Sequence, residues 1–238
     1  MLLLISGATL SMARFALDAT IAPHIGHLWT PATGNSLDRQ SQTGLVWASD
    51  NAAFGAQWNT EAFQKAVLFK IPASIANGNT RPLFVPSPDV VGDSRATLDL
   101  FHIWAPHMRA AGLPVALVLQ DGSENQLLPW SMIDAVFVGG AKWNADGTRW
   151  TPDMGTKGTT EWKESKAAAD LICEAKARGK HVHAGRVNGM KRLRHFFDLD
   201  CDTADGSSFS MYPDTWVPEF AKAIGKWKEE RLTTTLAS

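Results

Sequence analysis

Cysteine is scarce in this chain: only Cys173 and Cys201 occur among 238 residues. There is no Cys-x-x-Cys pair and no Cys/His cluster with zinc spacing, so neither a disulfide framework nor a zinc module organises the fold. Such cysteine usage fits a reduced, cytoplasmic setting. Long apolar runs are also missing. The opening Met-Leu-Leu-Leu-Ile-Ser-Gly is too short for a membrane span and lacks the basic flank of a signal peptide, so it reads as a first buried strand and no membrane partner is expected. Neither sign of charge dominates: 23 Lys and Arg face 24 Asp and Glu, for a net charge of -1. Any contact with nucleic acid must therefore come from a local patch. No repeat, low-complexity tract or linker divides the sequence, which reads as a single domain over 1–238.

What the sequence does contain is a rhythm. Short apolar runs at 2–6, 45–49, 83–86, 115–119, 135–138, 182–184 and, more weakly, 201–204 alternate with longer amphipathic stretches. Near-continuous apolar runs bounded by turn residues are the mark of parallel strands buried on both faces. Residues 94–111 follow Asp93 as an N-cap, with a kink expected at Pro106. In 160–178, Ala168, Leu171, Ile172 and Ala175 form a core-facing stripe that stops at Gly179. Residues 189–197 read as a short basic helix and 214–231 as a closing one.

Repeated β-α alternation means an α/β fold. An open doubly wound sheet competes with a (β/α)8 TIM-type barrel, but no Gly-x-Gly-x-x-Gly follows the first strand. The barrel is the preferred architecture, with about seven strands visible and the eighth irregular, cryptic or missing. The stretch 20–44, containing His24-Ile25-Gly26-His27 and Thr33-Gly34-Asn35-Ser36, reads as a long functional loop.

The ends of the apolar runs are polar in a consistent way. They terminate in Asp50, Asp89, Gln120-Asp121, Gly139-Gly140, Gly185-Arg186 and Asp205-Gly206. A lone Asp after a strand is most often a turn or cap residue. In a barrel, however, all of these positions ring the C-terminal mouth, where active sites are built. Asp50, Asp89 and Asp205 with the Gln120 amide and the diglycine describe a pocket for a polar, planar ligand, with the glycines allowing close backbone approach and Asp121 left as a cap or turn residue.

At these residues the chain resembles the tRNA-guanine transglycosylase superfamily, and most of all its compact phage and bacterial branch that inserts 7-deazaguanines into DNA. The resemblance runs from about residue 45 to 210. Trp47-Ala48-Ser49-Asp50-Asn51-Ala52-Ala53-Phe54 is similar to the family's Asp-Ser-Gly-Gly-Phe segment, and Asp89 stands where the family has a base-reading aspartate. Leu117–Gly122 is similar to its Val-Gln-Gly-Gly strand and Phe137–Gly140 to its Gly-Gly loop. His183–Val187 looks like its Met-Gly-Val strand, and Cys201–Asp205 like its Asp-x-x-Asp strand, whose second aspartate is the nucleophile.

The resemblance implies that Asp205 attacks C1′ of a guanosine nucleotide and that Asp50 is the general acid/base. Asp89 and Gln120 would read the purine edge, Gly139 and Gly140 would contact it through their backbone, and Phe54 would stack on it, with Ala184 and Gly185 as the floor. Asp202 is expected to be structural. The basic stretch from Lys176 to Arg194 has no acidic residue within it. It is either a solvated face or, through Arg186, Lys191, Arg192 and Arg194, a phosphate-binding patch. Base exchange requires a flipped or single-stranded nucleotide. Trp143, Trp150 and Trp162 are read as core or rim residues before stacking platforms. The co-substrate would be a free 7-deazaguanine such as 7-cyano-7-deazaguanine. No cofactor or zinc site is expected, DNA ranks ahead of tRNA as partner, and a partner protein or homodimer stays open. Host cytoplasm is the expected location if a phage encodes the chain.

Two features depart from the family pattern: Asn51-Ala52-Ala53 replaces Ser-Gly-Gly, and Ser-Ser-Phe follows Gly206 where the tRNA enzymes have Pro-Thr-Arg. The alternatives are a tRNA-directed transglycosylase, an N-glycosidic hydrolase on the same barrel, and a non-catalytic nucleic-acid-binding subunit.

Overall fold

The structure is a computed structural model that describes residues 1–7, 9–31, 36–51, 60–144, 146–148 and 160–236. Its centre is an eight-stranded, all-parallel sheet. In chain order the strands are β1 (Leu2–Ile5), β2 (Ile25–Trp29), β3 (Trp47–Ser49), β4 (Val85–Pro86), β5 (Val115–Leu119) and β6 (Ala135–Val138), then, after a small antiparallel hairpin of β7 (Lys142–Trp143) and β8 (Thr160–Glu161), β9 (His181–Ala184) and β10 (Thr203–Asp205). The spatial order is β3-β2-β1-β10-β9-β6-β5-β4. The two edges meet: Leu83 N donates to Trp47 O at 2.7 Å and Ser49 N to Phe84 O at 3.1 Å. This is a TIM-type (β/α)8 barrel.

The helices lie between the strands: α1 (Thr9–Phe15), α2 (Leu37–Ser41), a continuous helical stretch of α3 (Thr60–Phe63), a π-turn segment and α4 (Ile71–Ala76), then α5 (Ser94–Ala110), α6 (Lys166–Ala177), α7 (Met190–Asp198), α8 (Ser207–Met211) and α9 (Pro213–Leu236). Asp93 caps α5 as expected, its side chain accepting from Ala96 N, and α5 runs on through Pro106. The stripe Ala168, Leu171, Ile172 and Ala175 is buried. That helix begins at Lys166 and not at 160: Thr160–Glu161 is a strand, Trp162–Glu164 a 3-10 turn, and Ser165 caps the helix by accepting from Ala168 N. Among the described residues, no helix is long and apolar enough to cross a membrane.

The eighth strand is β2, inside the stretch read as a functional loop. Gly26 and His27 interrupt its apolar pattern, and both have a packing reason. A Cβ on Gly26 would lie 2.7 Å from Val46 O and 2.8 Å from Leu4 Cδ2, so only glycine lets β2 sit between its neighbours. His27 is buried with its Nε2 2.9 Å from Thr43 Oγ1. Burial pulls its pKa down to about 4, so it is neutral at pH 7.

Two apolar layers follow from the two-residue strand period. Leu4, Leu28, Ala48, Phe84, Ala116 and Ala135 fill the barrel interior. Their neighbours Leu3, Ile5, Trp47, Val85, Leu117, Val136 and Val182 join the outer core under the helices. Gly26→Ala is expected to lower stability by about 1–3 kcal/mol through overpacking, seen as a lower urea midpoint with an unchanged m-value. A wild-type midpoint would contradict the close approach of β2 to β1 and β3.

Candidate active site

The same period carries into the mouth of the barrel. Moving outward by twos from the interior layer, Ala48 leads to Asp50, Phe84 to Pro86, Ala116 to Val118 and Gln120, and Ala135 to Phe137 and Gly139. On β9 and β10 the same step leads from His183 to Gly185 and from Thr203 to Asp205. Asp50, Asp89, Gln120 and Asp205 line one cavity of about 220 Å³. Gly139, Gly140, Gly185, Val118, Phe137 and Pro86 also line it, as do Asn51, Lys163 and Arg186. The volume lies below the roughly 300–1,000 Å³ of drug-sized sites. It suits a single planar ring system rather than a whole nucleotide.

One wall is a fixed amide–carboxylate array. Asp89 Oδ1 accepts from Asn51 Nδ2 at 2.6 Å, and its Oδ2 accepts from Gln120 Nε2 at 2.5 Å. Asn51 Nδ2 also donates to Ser87 O at 2.8 Å. Gln120 Oε1 accepts from Gly92 N and Gly140 N, both at 2.9 Å. The two backbone donors fix which end of the Gln120 amide faces Asp89. Burial pushes the Asp89 pKa up to about 6, the hydrogen bonds from Asn51 and Gln120 oppose that rise, and the nearby charge of Asp50 adds to it.

The N–H groups of the diglycine are already engaged within the protein. Gly139 N donates to Leu119 O at 2.9 Å and Gly140 N is taken by Gln120, so both N–H groups serve the protein frame. A side chain at Gly139 would press on Val118 Cγ1 at 3.0 Å and Gln120 Nε2 at 3.2 Å. What the pair offers the cavity is a wall without side chains. Gly185 is equally constrained, since a Cβ there would run into the Phe137 ring.

On the opposite side, Asp205 Oδ1 lies 3.0 Å from His183 Nε2 and accepts from Arg186 N at 2.9 Å. Arg186 has φ 55, an unusual left-handed conformation for a side-chain-bearing residue. Beneath it, the buried Lys163 Nζ donates to Gly185 O at 2.8 Å and to Arg186 O at 3.4 Å, and pairs with Glu161 at 3.3 Å. Burial brings the Lys163 pKa down to about 8, against the raising effect of Glu161. Lys163 escapes a sequence reading because it lies in a 3-10 turn, Trp162–Glu164, with no period to mark it.

The other expected site residues fall differently. Phe54 and Trp150 lie outside the described residues. Ala184 is fully buried in the outer core, not in the cavity floor: the strand period turns it toward the helices and leaves Gly185 to the cavity. Arg186 is exposed and lines the cavity, and Lys191 is exposed at the start of α7. Arg192 pairs with Glu161 at 2.6 Å and with Glu164. Arg194 pairs with Asp198 at 2.9 Å and Glu230 at 2.6 Å and stacks over Trp227. These two arginines tie α7 to the hairpin and to α9 and do not join the cavity. Asp202 is structural, accepting from Lys176 Nζ at 2.7 Å and Val182 N at 2.8 Å. Trp143 and Trp162 are half-buried rim residues that donate to Asp121 and Glu124. Among the described residues, no group of three or more His, Cys, Asp and Glu is placed to hold a metal ion.

No protein-family model and no curated protein matches the chain. Solved structures similar in backbone course include these two. One is a cube-shaped, highly porous protein cage designed by fusing symmetric oligomeric domains, at 12% identity and TM-score 0.49, covering 99% of this chain and 77% of that one. The other is 3-hexulose-6-phosphate synthase, at 12% identity and TM-score 0.46, covering 93% of this chain and 97% of that one. Neither likeness bears on the chemistry of the cavity.

The raised pKa of Asp89 has a measurable sign. The folded protein holds this proton more tightly than the unfolded chain, whose value is near 3.8. The associated stability is fullest below that value and is lost as pH rises through about 6. Asp89→Asn removes this dependence. Its stability relative to wild type should therefore improve by on the order of 1–2 kcal/mol between pH 4 and 7.5, measured by urea unfolding. A pH-independent difference would show that Asp89 titrates normally.

Proposed function

We propose that this protein exchanges guanine in DNA for a free 7-deazaguanine base, such as 7-cyano-7-deazaguanine, through a covalent aspartyl-glycosyl intermediate. The observation that carries the reading is the meeting of Asp50, Asp89, Gln120 and Asp205 in one small cavity walled by Gly139, Gly140 and Gly185. Each part has work in this chemistry. A carboxylate oxygen of Asp205 forms a bond to C1′ as the C1′–N9 bond breaks, and the bonding pair leaves with guanine. Asp50, protonated at that moment, supplies the proton that the departing base takes up. The incoming base then gives its N9 proton to Asp50 and attacks C1′, releasing Asp205 as a carboxylate. Protons and charge balance over the cycle.

Asp89 and Gln120 offer the purine edge an acceptor and a donor side by side, in an orientation held by Asn51, Gly92 and Gly140. The size of the cavity favours a flipped base with its sugar and phosphate outside. Of Arg186, Lys191, Arg192 and Arg194, the exposed pair Arg186 and Lys191 are the candidates for the phosphates. DNA ranks ahead of tRNA on the resemblance to the compact branch.

The test is incubation with guanine-containing single- and double-stranded DNA and the free base, followed by digestion and mass spectrometry of the nucleosides. The reading expects the deazaguanine nucleoside to appear, and Asp205→Asn to reduce its formation by about 10³-fold or more. Exchange in tRNA alone would move the substrate to tRNA, and guanine loss without replacement would make the protein a hydrolase. Full activity of Asp205→Asn would end the covalent mechanism.

A further inference from the structure

Behind Asp205, inside the barrel, runs a chain of three hydrogen bonds. Asp205 Oδ1 lies 3.0 Å from His183 Nε2, His183 Nδ1 lies 2.9 Å from Thr203 Oγ1, and that same oxygen lies 2.9 Å from His181 Nε2. His183 and Thr203 are completely buried. The His183 ring is wedged between Phe84 and Phe137, with centroids 4.9 Å and 4.5 Å away. Asp205 lines the cavity and His183 does not. His183 therefore has no route to a substrate proton, and whatever it does it does through Asp205.

Hydrogen counting gives the chain a direction. A neutral imidazole has one N–H and a hydroxyl one O–H. Burial lowers the pKa of His181 to about 4, so it is neutral at pH 7. With each imidazole carrying a single N–H and the threonine hydrogen used inside the chain, the three bonds point the same way. Either all run toward Asp205, which is then a carboxylate, or all run away from it, which requires its protonated form. Arg186 N already donates to the same Oδ1. The Lys163 ammonium and Arg186 guanidinium on this side, against Asp50 and Glu161, also face the carboxylate. An Oδ1 that already accepts from Arg186 N matches the first direction.

We propose that Thr203 and His183 are positioning residues for Asp205: the chain His181–Thr203–His183 delivers one N–H to Oδ1 and so makes Oδ2 the attacking atom. Among the described residues, no hydrogen bond falls on Oδ2. As the bond from Oδ2 to C1′ forms and C1′–N9 breaks, Oδ1 becomes the ester carbonyl and keeps both of its donors. No proton moves along the chain. This proposal rests on the reading of Asp205 as nucleophile, but the direction of the chain is a property of the resting protein.

The test pairs Thr203→Val, which keeps the shape and removes the hydroxyl, with Thr203→Ser, which keeps the hydroxyl. Thr203→Val should lower kcat for base exchange on the order of 10–100-fold, the scale of lost outer-shell partners, with KM for the free base nearly unchanged. Thr203→Ser should restore most of it. Independently of activity, 15N NMR of the resting wild-type protein should show His183 as the Nε2–H tautomer. Finding the Nδ1–H tautomer, or an unchanged kcat in Thr203→Val, would overturn the proposal. The Nε2–H tautomer in a protein that exchanges no base would uphold the direction of the chain and count against the transglycosylase reading. Should Thr203→Val fail to fold, the wild-type tautomer and the activity of Thr203→Ser still decide.

Discussion

Parallel strands closed into a barrel have an inside and an outside, and the two-residue strand period assigns each side chain to one of them. The rest of this protein depends on that constraint. It sends Leu3, Ile5, Val136 and Val182 to the helices and Leu4, Phe84 and Ala135 to the interior. One step further along, it brings Asp50, Gln120, Gly139, Gly185 and Asp205 to a common cavity from residues spread over more than 150 positions. A slip of one residue in β10 would point Asp205 into the helix layer and Ala204 into the cavity.

Placing carboxylates, amides and imidazoles at the top of a barrel is costly unless each finds a partner. The cavity meets this demand with two networks. Asn51, Gly92, Gly140 and Gln120 hold Asp89 on one wall. His183 and Arg186 N hold Asp205 on the other, with Lys163 securing the carbonyls of Gly185 and Arg186 below it. The left-handed backbone at Arg186 is sustained by these bonds. Positions are thereby set before any ligand arrives, which is what an electrostatic site requires.

Much of this was legible from sequence, for a physical reason. A parallel strand buried on both faces is an apolar run, and the first carboxylate or amide after it sits at the mouth. Asp50, Asp89, Gln120 and Asp205 could be picked out on that basis. β2 was hidden because Gly26 and His27 answer to close strand approach and a buried hydrogen bond, both tertiary facts. Ala184 was placed in the cavity floor by the resemblance alone, and the strand alternation that separates it from Gly185 turns it to the outer core. Lys163 carries no periodic signal. The partners of Arg192 and Arg194 lie on the hairpin and on α9, so a run that looks free in sequence is largely paired in space.

The central claim is that Asp205 bonds to the sugar, and the most direct measurement is peptide mapping of the trapped complex. Guanine-containing DNA is mixed with the protein without free base, denatured and digested, and the adduct is located by tandem mass spectrometry. The account predicts a nucleotide remnant on Asp205, absent in Asp205→Asn and diminished when a competent free base is added. A remnant on Asp50 or Asp89 would contradict it.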